Sequence, residues 1–381
     1  MQKKYWLMIW GINLISFLCQ IVQMGTLTPL ISLGLDRAQR SPFQIGVVVS
    51  ACWIAVLLLS HVTPQIINRI GYVVACIASA LTGALAILLL SLTEDLVLIF
   101  LLNFLTGACL IIRWIACDTW LVSLTKPSNR GRIIGTHETL MGLAVAIGPL
   151  LISGAGIQDK TPYFICAGIL LCAAAISIPF AGTSSAPEVP KKHQKPNLLK
   201  EIPIPIAAAF ISGFAETSAS SFLPAYALGF GYLLTLATIM LSLFGLGGSL
   251  LQIPIGWLAD KSNYLLAHMT CCFTAIFCSL LLVTSIHSHF GALTAAFFLG
   301  GSIGGMFTLA VMEVGSSAEN TSLSTYMSGI AKYYTVGSIA GPIIIGSATE
   351  TVSHHSVFIS YIVLFSVFIA FTIGHFRSTT K

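Results

Sequence analysis

Five ionisable residues stand inside long apolar runs: Arg113, Asp118, Glu138, Glu216 and Lys332. A charge at the centre of a membrane helix costs about 2.5–3.5 kcal/mol on insertion scales, so it faces protein or water and takes a partner. The chemistry such residues offer is the holding of ions and protons. Arg113 and Lys332 can attract an anionic or zwitterionic solute. Glu216, Glu138 and Asp118 can take up a proton, because a carboxyl in apolar surroundings keeps its proton at higher pH than one in water. At 1.5 Å rise per residue, Arg113 lies about 15 Å and Glu138 about 9 Å from their predicted cytoplasmic helix ends. Glu216 and Lys332 lie about 15–18 Å in, near the midplane. The economical pairs are Arg113 with Glu138 and Glu216 with Lys332. Two readings stay open for them: a solute and proton site, or pairs that only hold helices together, a weak source of stability. Asp118, one to two turns from the cytoplasmic side, could serve a gate instead. Seven aromatic residues could wall a chamber: Trp53, Trp114, Phe214, Phe222, Tyr226, Tyr333 and Tyr334. Each could equally be interface belt or packing. Tyr333, beside Lys332, is the one expected to touch solute.

The elements that must position these groups are membrane helices. Of the 381 residues, 56% are hydrophobic and 8% charged, against about 25% charged in soluble domains. Such a chain cannot clothe a soluble fold in polar surface. Its net charge of +5 is therefore no nucleic-acid signal. A bilayer core needs about 20 apolar residues per helix. Twelve runs qualify, at approximately 6–32, 44–67, 72–92, 96–122, 132–154, 161–181, 204–228, 232–257, 264–286, 290–313, 322–348 and 355–376. The expected fold class is an all-α membrane protein with two six-helix bundles. The first run is too long for a signal-peptide core of roughly 7–15 residues. The polar stretch Gly182–Glu201 reads as a linker, so the expected domains are 1–182, a cytoplasmic linker 183–203, and 204–381. With both termini in the cytoplasm, 13 basic residues fall inside and 3 outside, a bias that supports this orientation and the even span count; the membrane expected is the plasma (inner) membrane.

The halves repeat one another. Pro29 matches Pro224 at an offset of 195, Asn68-Arg69 matches Asp260-Lys261 at 192, and Gly148-Pro149 matches Gly341-Pro342 at 193. Two bundles related along the membrane normal put a solute site between them near the midplane. Gln252 to Lys261 resembles the loop signature G-x-x-x-D-R/K-x-G-R of the major facilitator superfamily. The copy after the second run is degraded, with Pro64 and Asn68 in place of Gly and Asp, while Arg69 and Gly71 remain. Asp118-Thr119-Trp120-Leu121 followed by Asn129-Arg130-Gly131-Arg132 is similar to a segment of one bacterial branch. At Asn103 that family usually has Arg. The resemblance implies a transporter working by alternating access, in which Asp260 meets Arg130 or Arg132 at a cytoplasmic gate near Arg69. Asp260 as a helix cap is the plainer alternative.

The expected function is therefore secondary active transport of a small organic anion or zwitterion, coupled to protons. The rivals are efflux of amphipathic or cationic compounds, and a sensor or embedded enzyme. No Walker loop, serine elbow or HExxH occurs, so neither catalysis nor a cofactor is expected. A monomer in contact with lipid, with no nucleic-acid partner, is. The ten cysteines sit in apolar runs without CxxC spacing and read as reduced packing residues. His287, His289, His354 and His355 could hold a metal only if two outer loops met, and exposed loop polarity is the simpler reading. His61 and His137 read as packing.

Overall fold

Backbone polar groups in lipid must be satisfied within their own segment, so long apolar stretches become helices. The computed structural model describes residues 2–125, 129–181, 198–317 and 323–379. Among these, twelve long helices follow in order and there is no strand. They are α1 (Tyr5–Arg37), α2 (Pro42–Leu59), α3 (Tyr72–Leu90), α4 (Leu96–Leu124), α5 (Arg130–Ala155), α6 (Thr161–Phe180), α7 (Pro203–Gly229), α8 (Leu234–Lys261), α9 (Tyr264–Thr284), α10 (His289–Ser317), α11 (Leu323–Thr351) and α12 (Ser356–Thr379). Eleven are long and apolar enough to cross a membrane. The other, α11, is as long as α4 and more polar, since it carries Tyr326, Lys332, Tyr333, Tyr334 and Glu350. Most of the linker 183–203 lies outside the described residues, as do Lys126, Lys191, Lys192, Lys195, Lys381 and the side chains of Lys3, Lys4 and Arg377.

The second predicted run, 44–67, is in fact two elements. α2 stops at Leu59, and an eight-residue helix, Thr63–Ile70, follows it. Pro64 sits in the first turn of that short helix, where its missing N–H costs nothing. Gly71 then turns the chain at φ 80°, donating its N–H to Ile67 O at 2.7 Å. Asp95 opens α4 by accepting from Leu98 N at 2.8 Å. Asn263 opens α9 by accepting from Leu266 N at 2.7 Å, so Asp260 is not the cap of that helix.

Packing divides the chain into two units. Unit 1 holds Met1–Gly34 with Ala51–Lys191. Unit 2 holds Leu35–Ser50 with Lys192–Lys381. In unit 1, α1 meets α5 where Gly25 and Gly148 bring their backbones together, and a Cβ on Gly148 would enter the Gly25 backbone. Elsewhere in the unit Trp120 is fully buried, stacked on Tyr72 of α3 with centroids 6.2 Å apart and edge-on to Phe180 of α6. In unit 2, α7 crosses α11 equally closely. Gly213 faces Tyr334 O, Gly337 faces Phe210 O, and Gly341 faces Phe214 O. The start of α2 also belongs to this unit: Gly46 rests on Pro342 O, Gly346 rests on Pro42 O, and Ser50 Oγ donates to Ile339 O at 2.9 Å.

Candidate functional site

Unit 1 builds its polar site around Arg113. This side chain is 1% exposed. Its Nη2 donates to Gln20 Oε1 at 2.9 Å and its Nε to Gln23 Oε1 at 3.3 Å. The acceptors sit at a local change in α1, Gln20 just before it and Gln23 within it. Residues Ile21–Thr26 form a π-helical turn in which the Leu27 N–H reaches back five residues to Val22 O. Such bulges re-aim side chains and recur at functional sites. Thr26 Oγ1 donates to Ile21 O at 2.8 Å and lies 2.9 Å from Gly148 O, so the bulge is held where α1 and α5 touch.

The expected Arg113–Glu138 pair does not form among the described residues. Arg113 and Asp118 are five residues apart on α4, about 140° round the helix. One face therefore turns to α1 and the other to α5. Asp118, not Arg113, meets α5, and it does so at His137 and not at Glu138: its Oδ1 lies 3.3 Å from His137 Nε2. His137 is buried, and its Nδ1 lies 3.1 Å from Asn13 Oδ1 on α1. Glu138, one residue further round, is exposed. Cys76 and Cys117 approach to 3.5 Å between sulfurs, and all ten cysteines are free.

Unit 2 offers Glu216 on α7. The expected Glu216–Lys332 pair is also absent. Glu216 Oε2 accepts instead from Tyr334 Oη at 2.8 Å, and the Tyr334 ring lies edge-on to Phe307 at 5.0 Å. The reason is helical phase. Tyr334, Gly337 and Gly341 follow at spacings of three and four and share the face that α11 turns to α7. Lys332 lies about 200° round from Tyr334, and it is exposed without an ion pair among the described residues. Tyr333 is half-buried beside it. The phase of the small residues marks Tyr334 over Tyr333 as the contact to α7.

Other sequence candidates lie elsewhere. Asp260 is exposed in unit 2, while Arg69, Arg130 and Arg132 are exposed in unit 1, with Arg130 Nε donating to Thr125 Oγ1 at 3.2 Å. Trp53, Phe214 and Phe222 are buried. Tyr226 is buried too, its hydroxyl 2.9 Å from both Leu282 O and His355 Nδ1. His287 and His289 lie edge-on to Phe230 and Tyr232, and no group of three metal-ligating side chains forms among the described residues. One pair went unread in the sequence: His268 on α9 and Glu313 on α10, 3.4 Å apart.

The sequence profile of the Major Facilitator Superfamily matches residues 13–342, with a second match over 206–380. The chain belongs to that superfamily. This superfamily member is 23% identical over 365 residues to the uncharacterized MFS-type transporter YfkF of Bacillus subtilis (strain 168), covering 93% of this chain and 92% of the relative. It is 23% identical over 342 residues to YcaD, an uncharacterized MFS-type transporter of Shigella flexneri serotype 5b (strain 8401), covering 88% and 87%. Its fold is that of the nucleoside transporter NupG, with a TM-score of 0.78 over 95% of this chain and 98% of that one, at 14% identity. A mutant form of NupG gives 0.81 at 13% identity, over 96% and 99%. The superfamily member is thus a multi-pass membrane transporter for small molecules, not an enzyme.

Proposed function

We propose that this transporter carries a small organic solute bearing negative charge, by alternating access and with protons as the coupling ion. The observation that carries the reading is the setting of Arg113. A fully buried guanidinium there faces two neutral carboxamides and no carboxylate among the described residues. Burying an uncompensated charge is costly, and a solute carboxylate or phosphate would supply the missing counter-charge through charge-assisted bonds. Lys332 and Tyr333 are offered as further solute contacts. Glu216, Glu138 and Asp118 are offered as proton-handling groups. Asp260 with Arg130, Arg132 and Arg69 are offered as the cytoplasmic gate. The basic bias of the sequence supports both termini in the cytoplasm, the membrane being the plasma (inner) membrane, and a monomer suffices.

The test is uptake into proteoliposomes with and without a pH gradient, after a thermal-shift screen of anionic, zwitterionic and cationic metabolites. Each anionic hydrogen bond is worth about 1.5–3 kcal/mol, so Arg113→Gln should weaken binding roughly tenfold or more. Glu216→Gln should uncouple uptake from the gradient. Unchanged affinity in the first variant sinks the anion reading, and unchanged coupling in the second removes Glu216 as carrier. A second reading, efflux of amphipathic cations, is favoured by Glu216 itself, a half-buried carboxylate facing a neutral phenol. Stabilisation by lipophilic cations alone would select it.

A further inference from the structure

Among the described residues two histidine–carboxylate pairs form, one in each unit, and their hydrogen-bond geometry fixes where protons must be. In unit 1, Asn13 Nδ2 donates to Ile9 O at 2.8 Å. That sets the amide orientation and leaves Asn13 Oδ1, an acceptor, facing His137 Nδ1 at 3.1 Å. Nδ1 must therefore carry hydrogen. The other nitrogen, Nε2, faces Asp118 Oδ1 at 3.3 Å. An ionised carboxylate and a bare Nε2 are both acceptors and repel. The contact closes only with a proton between them, on imidazolium or on the carboxyl.

The same logic holds in unit 2 with different atoms. His268 is 1% exposed, and its Nδ1 lies 3.4 Å from Met306 Sδ. A thioether sulfur has no hydrogen to give, so Nδ1 again donates. Nε2 then faces Glu313 Oε2 at 3.4 Å. The carboxylates occupy matching stations: Asp118 and Glu313 are 195 residues apart, the offset that relates Pro29 to Pro224. Each lies within the last two turns of its helix, α4 or α10. The histidines come from different neighbours, α5 and α9.

We infer that His268–Glu313 is a proton-binding site of the second half, and that it and Asp118–His137 each hold one exchangeable proton as a repeated device. The site stands apart from the choice of solute, because it concerns proton occupancy alone. Among the described residues, the helices around His268–Glu313 carry the following groups. α9 brings Cys271, beside Gly305, and Tyr264, whose hydroxyl turns to Met312 O and Ser316 Oγ. α12 brings the Phe368 ring at 5.6 Å and carries His375 two turns on, against Phe371. The end of α8 carries exposed Asp260 and Lys261, α7 carries Glu216, turned to Tyr334, and α11 carries exposed Lys332. Around Asp118–His137, α4 carries Arg113, turned to the α1 glutamines, and Cys117, against Cys76 of α3. α5 adds exposed Arg132 and Glu138, and α1 adds buried Cys19.

The pair closes with its proton, so its contribution to stability is present on the acid side and lost as pH rises and the proton leaves. The full-length protein is purified in detergent, and its unfolding midpoint is followed from about pH 6 to about pH 9. In Glu313→Gln the new side-chain amide donates to a neutral Nε2 and closes the contact without a proton. The fall in midpoint at high pH should shrink in this variant while the midpoint at low pH is kept. A purely structural role would lower the midpoint at every pH and leave the slope unchanged, which overturns the inference. His268→Gln, whose amide can donate to the carboxylate, is the second variant should the first not fold, with the same expected loss of slope. Ring-nitrogen spectra of the nine histidines, assigned by single replacements, give an independent readout. His137 and His268 should show Nδ1–H at neutral pH, and a neutral ring protonated only on Nε2 would equally overturn it.

Discussion

Tyr334 shows how much one residue of helical phase decides. Its hydroxyl is a donor to the Glu216 carboxylate, while Tyr333 beside it points elsewhere on the helix. Removing a donor from a half-buried acceptor costs up to the about 1–3 kcal/mol of a fully buried one. Tyr334→Phe should therefore lower the unfolding midpoint by that order, and Tyr333→Phe should stay within about 0.5 kcal/mol of wild type. Equal effects of the two would refute the assignment. The charges themselves were legible in the sequence, because an ionisable residue in an apolar run stands out. Their partners were not. Pairing by depth alone ignores the azimuth of each side chain, and it joined Arg113 to Glu138 and Glu216 to Lys332. Glu313 was passed over because it closes its apolar run and reads as a boundary. The repeat offset from Asp118 would have pointed to it. The glutamines of α1 were invisible for another reason: nothing in Ile21–Thr26 announces a π-helical turn.

At the level of elements, close crossings place the site, and only some glycines make them. Gly213 and Gly148 have backbone of a neighbouring helix where a Cβ would go, whereas Gly154 has nothing nearby. Overpacking typically costs about 1–3 kcal/mol. Gly213→Ala and Gly148→Ala should both destabilise by that order, while Gly154→Ala should be neutral or slightly stabilising. Chemical unfolding of the three variants tests this, and a loss in Gly154→Ala equal to the others would contradict it. The crossings were partly legible. The Gly-Pro steps at 148–149 and 341–342 stood out as a repeat, and the structure sets both at close approaches, to Gly25, and to Phe214 with the start of α2. The apolar runs located the helices well, except where Pro64 starts a new one inside the second run. Hydropathy cannot see that break, because the residues on both sides of it are apolar.

For the whole molecule, the informative stretch is Leu35–Ser50. Contiguous in sequence with the first half, it groups with the second. Its contacts to α11 are backbone approaches at Gly46 and Gly346, plus the Ser50 hydroxyl on Ile339 O. The repeat in the sequence predicts a single division at the linker, because internal similarity reports ancestry of segments and not which segment packs on which. Severing the chain within 183–203 would therefore not release two self-sufficient fragments. The first piece would hold a segment that completes the second, much as one half of a split reporter completes the other. Fragments 1–190 and 191–381, produced together with a tag on one alone, should be recovered as a pair. Bulky replacement of Gly46 should weaken that recovery. Clean separation of unaltered fragments would show that the segment is dispensable. Recovery as a pair would mean that the two halves assemble by reconstitution and not merely by tethering, and the linker becomes a place where a transporter of this build can be opened, tagged or rejoined without losing its partner.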